Sequence, residues 1–199
     1  MKDKVVLVTG ASTGIGAATA RAFLTAGATV YGTSRSLKEQ EGGPRMLVMD
    51  QTDETSVDAA VGEVLAREGR LDILVNNAGT GIAGPALDTT PEELHRQLDV
   101  NLLGALRVSR AAINALIASR GMIINISSMA GVVPIPFQSG YSLSKFALES
   151  LSECMRMELA PLGVRVALVQ PGDTKTAFTA NRVTIGTVSE PYRARFHAS

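Results

Sequence analysis

The sequence predicts a doubly wound α/β fold on a parallel sheet. Three observations carry that expectation. Short β-branched runs alternate with longer stretches of helical spacing along the whole chain. The strand runs are continuously apolar and do not alternate with polar residues, as expected when helices cover both sheet faces. A glycine-rich turn joins the first strand directly to the first helix.

The elements follow in order. Lys4 to Thr9 reads as a buried strand, and Gly14 to Ala26 as a helix ended by Gly27. Thr29 to Thr33 is the second strand. Arg45 to Met49 is the third, after the Gly42-Gly43-Pro44 turn. Thr55 to Glu68 is helical and Ile73 to Val75 is the fourth strand. Thr90-Pro91-Glu92-Glu93 announces the next helix, because Thr90 can cap, Pro91 suits the first helical position and Glu93 completes a capping box. That helix is predicted to run to about Ser119. Met122 to Ile126 is the fifth strand and Val164 to Val169 the sixth. Between them Ser142 to Leu159 is helical, with Leu148, Leu151, Met155 and Leu159 along one face.

Composition narrows the function. With 199 residues, no linker, no repeat and no low-complexity tract, residues 1–199 are expected to form one domain. Lys+Arg and Asp+Glu number 19 each, which leaves no electrostatic footprint for nucleic acid or an anionic membrane. Cys154 is the only cysteine, so an intramolecular disulfide and a cysteine metal site are excluded. His95 and His197 lack metal-ligand spacing, and no metal is expected. The apolar start Val5 to Val8 is too short for a signal peptide, and no run approaches the ~20 apolar residues of a membrane span. A cytoplasmic protein acting on small molecules is the expectation.

The turn Thr9-Gly10-Ala11-Ser12-Thr13-Gly14-Ile15-Gly16 carries the first chemical signal. Gly10 permits the tight turn, Gly14 lets backbone approach a pyrophosphate, and Gly16 lets the helix pack closely. The helix N-terminus then offers N–H groups and a positive dipole end to phosphates. The spacing Gly-x-x-x-Gly-x-Gly, with the segments that follow, resembles the short-chain dehydrogenases/reductases. Asn76-Asn77-Ala78-Gly79 after the fourth strand resembles their second motif, and Asn101 follows in the next helix. Ser128, Tyr141 and Lys145 resemble the family's Ser and Tyr-x-x-x-Lys set. Pro171-Gly172, with Thr174 and Thr176 beyond it, resembles its Pro-Gly motif. The matches occur in order from residue 9 to about 178, and they imply a Rossmann-type fold and nicotinamide-dependent oxidoreduction.

The residues suit that chemistry. Reducing a carbonyl needs a hydride donor and a proton donor, and a free tyrosine, with a pKa near ~10, exchanges protons poorly at neutral pH. Tyr141 and Lys145 are four apart on a predicted helix and share one face. The ammonium is therefore expected to lower the tyrosine value. Ser128, at a strand end lining the ligand crevice, can hydrogen-bond the substrate oxygen. Ser127 is its rival, and the step to Tyr141 fits the family better from Ser128. The resemblance implies that Lys145 bonds the nicotinamide ribose and that Asn101 links it to a proton-relay water.

Beyond the second strand, where NAD binders place a carboxylate, this chain has Ser34-Arg35. A guanidinium there can pair with a 2′-phosphate, so NADP(H) is the preferred cofactor, with NAD(H) as the alternative. Asp50 resembles the family residue that contacts the adenine amino group. The expected cofactor set is Gly10, Ser12, Thr13, Gly14, Ile15, Gly16, Ser34, Arg35, Asp50, Asn77, Ala78, Gly79, Tyr141, Lys145, Pro171, Gly172, Thr174 and Thr176.

Ser144 to Glu149 and Thr176-Ala177-Phe178 look like the subset that includes 17β-hydroxysteroid and retinol dehydrogenases, which implies a bulky apolar alcohol or ketone. The resemblance also implies a homodimer or homotetramer. Family members continue with another strand and helices, so the fold is expected to be C-terminally short, with residues 177–199 starting a substrate loop and the sixth strand near an exposed edge. A catalytically silent NADP(H)-binding sensor or interaction protein is the competing reading. It is opposed by retention of the whole Asn, Ser, Tyr, Lys set.

Overall fold

A computed structural model describes residues 1–36, 42–174, 178 and 182–198. In chain order its elements are β1 (Val5–Val8), α1 (Gly14–Thr25), β2 (Thr29–Ser34), β3 (Arg45–Val48), α2 (Glu54–Glu68), β4 (Ile73–Asn76) and β5 (Ile82–Ala83). Then come α3 (Pro91–Leu98), a π-helical turn (Asp99–Leu103), α4 (Gly104–Ser119), β6 (Met122–Ile126), α5 (Ser139–Leu159), β7 (Arg165–Val169), β8 (Val183–Thr184) and α6 (Glu190–His197). The main sheet runs β3-β2-β1-β4-β6-β7 and every pairing in it is parallel. The chain builds outward one way from β1 to β3, then the other way from β4 to β7. The direction reverses between β1 and β4, the switch point at which such sheets open a crevice.

Strand side chains alternate between two apolar layers. Val5, Leu7, Leu74 and Ile123 pack with Val57, Val61 and Val64 of α2 and Val108, Ala112 and Leu116 of α4, with Met155 and Leu159 of α5 at the rim. Val6, Val8, Val30, Ile73, Val75 and Ile126 face the other way, against Ala20, Phe23 and Leu24 of α1. Burial on both faces is why the strands read as unbroken apolar runs. Each fully buried Val or Leu contributes about 1.5–3 kcal/mol.

Local signals set the helix ends. Thr90 Oγ1 accepts from the Glu93 N–H while Glu93 Oε2 accepts from the Thr90 N–H, so the predicted capping box forms with Pro91 behind it. Asp53 caps α2 by accepting from Thr55 N–H, and Gly69, at φ 67°, ends it. Helix α5 begins at Ser139, three residues before the expected start at Ser142, which puts Tyr141 in its first turn.

Three features depart from the sequence reading. The helix expected to run unbroken to Ser119 carries the π-helical turn Asp99–Leu103. By length and composition, Pro91–Ser119 is apolar enough to cross a membrane, contrary to the expectation of no such stretch. Its apolar stripe of Ala105, Val108, Ala112 and Leu116 is buried against the sheet and α2, and it carries Arg107 and Arg110. The third departure lies in the region expected only to begin a loop. There β8 pairs in parallel with β5, through Val183 N–H to the Gly81 carbonyl and Ile185 N–H to the Ala83 carbonyl. Ile185 is buried over Gly84, where any Cβ would collide with it, and Ser189 donates from its N–H and hydroxyl to Asp88. Strand β7 lies at the sheet edge, as expected, with Val169 exposed.

At the opposite end of the sheet Asp72, only 2% exposed, accepts from Lys4 Nζ, from Nε and Nη2 of Arg70, and from the Val5 N–H. Burial alone would raise its pKa. The hydrogen bonds from Arg70, Lys4 and Val5 outweigh it and hold the carboxyl at about 2, below the ordinary 3.8. A depressed acid stabilises the fold above its unfolded value, and that stability is lost as pH falls toward the folded value. Asp72→Asn should therefore cost about 2–3 kcal/mol at pH 7 in urea denaturation, with the gap to wild type closing between about pH 4 and pH 2. A gap independent of pH would contradict this account.

Candidate active site

The crevice at the carboxyl ends of β1 and β4 is held by one interlock. Thr9 Oγ1 accepts from the backbone N–H groups of Asn77 and Ala78, both at 2.9 Å. Asn77 Nδ2 returns two bonds, to the carbonyls of Thr9 (2.9 Å) and Gly10 (3.2 Å). The Asn77 amide, expected at the cofactor, is thus spent bracing the glycine turn. Gly10 sits at φ 64° with its α-carbon face against Ala78, where a Cβ would stand 2.9 Å from the Ala78 Cα. Gly16 lies inside α1, yet a Cβ there would strike Asn77 Nδ2 and the Gly10 carbonyl oxygen. Gly14, at φ 58°, is exposed at the start of α1, between exposed Thr13 and half-buried Ile15, with Ser12 half-buried before them. Thr13 makes no side-chain cap, unlike Asp53 and Thr90. This surface, cleared of side chains and ending in the first N–H groups of a helix, fits a dinucleotide pyrophosphate.

The loop after β4 is clamped from α3 and the π-helical turn. Asn101, 2% exposed in that turn, accepts from Thr80 N–H and donates to the Thr80 carbonyl and to Ser144 Oγ. Gln97, one turn earlier, accepts from Ile82 N–H and also donates to the Thr80 carbonyl. Ser144 in turn donates to the Tyr141 carbonyl, which ties the first turn of α5 to Asn101. From the end of β3, Gln51 donates to the Ala78 and Val100 carbonyls. Gln51, Gln97 and Ser144 were not among the expected site residues. Only the contacts across the fold identify them.

Ser128, Tyr141 and Lys145 come together. Ser128, in extended conformation after β6, accepts from Ala130 N–H and is hydrogen-bonded to Tyr141. Lys145, 5% exposed, donates to the Ile126 carbonyl at 2.8 Å, with its Nζ 5.8 Å from the centre of the Tyr141 ring. The electrostatics correct one expectation. Burial pushes the Tyr141 phenol above its ordinary value, and the bond with Ser128 is what pulls it back. The bond that lowers it comes from Ser128 and not from Lys145; burial also acts on the lysine and brings it down to about 8, with Glu149 pulling it up. Spacing on a helix puts the two side chains on one face but says nothing of how dry that face is. The rival Ser127 points elsewhere. It is buried, with no hydrogen-bond partner for its hydroxyl among the described residues.

The remaining expected residues line the same edge. Ser34 donates to the Ser36 carbonyl, and Arg35 stands exposed just beyond β2. Asp50 Oδ1 accepts from the N–H and hydroxyl of Thr52; these two bonds, helped by the nearby Arg35 charge and opposed by burial, hold its carboxyl below the ordinary range. Gly79 is exposed, and its Cβ would stand 3.3 Å from Asn101 Oδ1. The Pro171 carbonyl accepts from Met129 N–H, and Thr174 Oγ1 donates to the carbonyl of exposed Gly172. Thr176 lies outside the described residues. Phe178 stacks at a tilt on Tyr141 with ring centres 5.4 Å apart, in space left by Gly81, and Phe137 meets Phe196 edge-on at 5.6 Å.

A parallel sheet with a glycine-turn crevice at its switch point defines the doubly wound nucleotide-binding class. Residues 4–184 match the short chain dehydrogenase family, and the chain belongs to it. It is 46% identical over 183 residues to a 3-ketodihydrosphingosine reductase of Bacteroides thetaiotaomicron, covering 92% of this chain and 68% of that relative. It is 37% identical over 194 residues to an NADPH-dependent 1-acyldihydroxyacetone phosphate reductase of Schizosaccharomyces pombe, covering 94% of this chain and 65% of that relative. The crystal structure of a short-chain dehydrogenase from Streptomyces avermitilis superposes with a TM-score of 0.87 at 35% identity, over 98% of this chain and 75% of that one. The chain thus spans about two thirds of the length of the two reductases.

Two glycine substitutions separate sterics from propensity. Gly16→Ala should destabilise by about 2–3 kcal/mol, although alanine is the better helix former, because its methyl has nowhere to go. Gly62→Ala, in the exposed middle of α2 with open space around it, should stabilise by about 0.5–1 kcal/mol. Urea unfolding of both variants measures the contrast, and a neutral Gly16→Ala would refute the interlock.

Proposed function

We propose that this chain is an NADP(H)-dependent carbonyl reductase in which Tyr141 is the acid/base residue. The observation that carries the reading is the buried Tyr141 phenol, hydrogen-bonded to Ser128 and one helical turn from Lys145, at the carboxyl edge of the sheet. Bound across the glycine turn, the nicotinamide would supply the hydride. The chain's own residues do the rest. Ser128, whose Oγ takes a bond from Ala130 N–H and whose hydroxyl meets Tyr141 in the unliganded site, would turn its proton to the substrate oxygen as negative charge develops on it. Tyr141 then gives its proton to that oxygen. A phenol raised by burial is protonated at neutral pH, the form a reduction requires. Lys145 keeps a cation beside the ring, and Asn101, through Ser144, holds the first turn of α5 in place.

Arg35 is the reason for preferring the phosphorylated cofactor. Ser34 occupies the position where NAD binders carry a carboxylate, and the exposed Arg35 next to it offers a guanidinium to a 2′-phosphate. The S. pombe relative is named as NADPH-dependent, in keeping with this.

For substrate we propose a ketone on a long-chain lipid. The two reductases are named for 3-ketodihydrosphingosine and 1-acyldihydroxyacetone phosphate, a keto sphingoid base and an acyl-bearing ketone. Phe178 lays an apolar ring against Tyr141. A homodimer or homotetramer would cover Leu143 and Phe146 on α5 and Leu103 beside α4, all exposed. Exposed, unpaired Cys154 suits a reducing, cytoplasmic compartment.

The test is NADPH oxidation with 3-ketodihydrosphingosine, a 1-acyldihydroxyacetone phosphate and a short-chain ketone as comparison. Turnover of either lipid supports the reading, and Tyr141→Phe should lower it at least ~100-fold while leaving NADPH binding intact. Full activity in Tyr141→Phe would sink it.

NADPH should bind at least ~10-fold tighter than NADH, about 1.4 kcal/mol, and Arg35→Ala should remove the difference. Lys145 must keep its proton for its charge to act, so kcat/KM for reduction should hold below pH 8 and fall as pH rises through about 8. A profile flat to pH 10 would remove Lys145 from the scheme.

A further inference from the structure

Glu149 lies one turn beyond Lys145 on α5, so Tyr141, Lys145 and Glu149 follow one another at four-residue steps along one face. Its Oε2 accepts from Gln170 Nε2 at 2.9 Å, while its Oε1 is buried with no hydrogen-bond partner among the described residues. Gln170 directly precedes Pro171-Gly172. The turn Met129–Gly131 closes over the same spot. A Cβ on Gly131 would stand 2.8 Å from Ser127 Oγ, 3.1 Å from the Lys145 carbonyl oxygen and 3.2 Å from Glu149 Cγ. One carboxylate oxygen is therefore buried behind the lysine while the other reaches the exposed amide of Gln170, and the pair makes no direct salt bridge. A carboxylate so placed is costly to bury unless a positive charge shares the enclosure.

We propose that Glu149 is a positioning residue, the internal counter-charge that keeps the Lys145 ammonium protonated beside Tyr141, and that Gln170 holds it there at the Pro171-Gly172 turn. The groups around Lys145 leave this role to Glu149 among the described residues. On its own helix the ionisable neighbours are Tyr141 and Glu149. The end of β6 offers the Ile126 carbonyl and the neutral hydroxyls of Ser127 and Ser128, and the turn above is Met129-Ala130-Gly131. The π-helical turn brings Asn101, while its Asp99 is paired with Arg107. Beyond β7 stands the neutral amide of Gln170. Burial favours the uncharged amine and Glu149 opposes it, the direction the proposal requires.

The inference rests on the proposed role of Lys145, so its test reads the lysine without turnover. In protein labelled at lysine 13Cε, with the signal assigned by difference against Lys145→Arg, the wild-type midpoint should fall near pH 8. In Glu149→Gln it should drop by about one pH unit. Gln170→Leu leaves the carboxylate but removes its tether, and should move the midpoint the same way by less. The alkaline limb of kcat/KM should move with the midpoint. An unmoved midpoint in Glu149→Gln, or an upward one, overturns the proposal. The expected drop in a protein that reduces no ketone would support the counter-charge and refute the proposed activity instead.

Discussion

The crevice depends on Thr9 and Asn77 locking the carboxyl ends of β1 and β4 together. Two neighbouring strands diverge there, because their following helices leave to opposite faces, and diverging loops expose backbone groups that need partners. Thr9 takes two backbone N–H groups with one oxygen, and Asn77 gives both amide hydrogens to the carbonyls of the turn opposite. Four bonds thus close the gap without covering the start of α1. The interlock also dictates where side chains are forbidden. Gly10 must curl over Ala78 and Gly16 must pass beside Asn77, so the turn stays bare on the side a phosphate would approach. Bracing and ligand access come from the same residues.

A second layer of side chains fixes what lies further along the edge. Gln97 and Asn101 satisfy the backbone of Thr80 and Ile82, and Ser144 carries the tie from Asn101 to the Tyr141 carbonyl. The π-helical turn is the local cost of bringing Asn101 to that loop. Tyr141 is held through its main chain as well as its ring, and a buried loop free to move would leave its polar groups unsatisfied.

Much of this was legible in the chain, for identifiable reasons. Strands β1 to β4, β6 and β7 announce themselves as short β-branched or apolar runs between helices, and β1 and β4, buried throughout, are the clearest. The Thr90 capping box and the glycine turn are short-range patterns with a local physical cause. The π-helical turn has the composition of the helix around it and leaves no mark. Strands β5 and β8 are two residues each, too short for any periodicity. Gln51, Gln97 and Gly131 act through contacts that no spacing encodes. Asn77 was placed in the right motif, but its amide is turned to the turn's carbonyls. The burial that acts on both Tyr141 and Lys145 leaves no mark either, because a four-residue step reports direction and is silent on dielectric.

Burial governs how the site handles protons. Burial moves an acid up and a base down, so the tyrosine rises from its ordinary 10.0 while the lysine falls from 10.5 to about 8. At neutral pH both keep their protons, the state that the proposed reduction requires. Taking a proton from an alcohol would need the phenolate, which forms here only above the tyrosine's ordinary range, where Lys145 has lost the charge that could stabilise it. An apolar enclosure thus favours the neutral phenol in the unliganded site, and more so the drier it is. The same dryness threatens the ammonium, and a carboxylate nearby opposes that loss. Glu149, held at one oxygen by Gln170 and buried at the other, is the group proposed for that role.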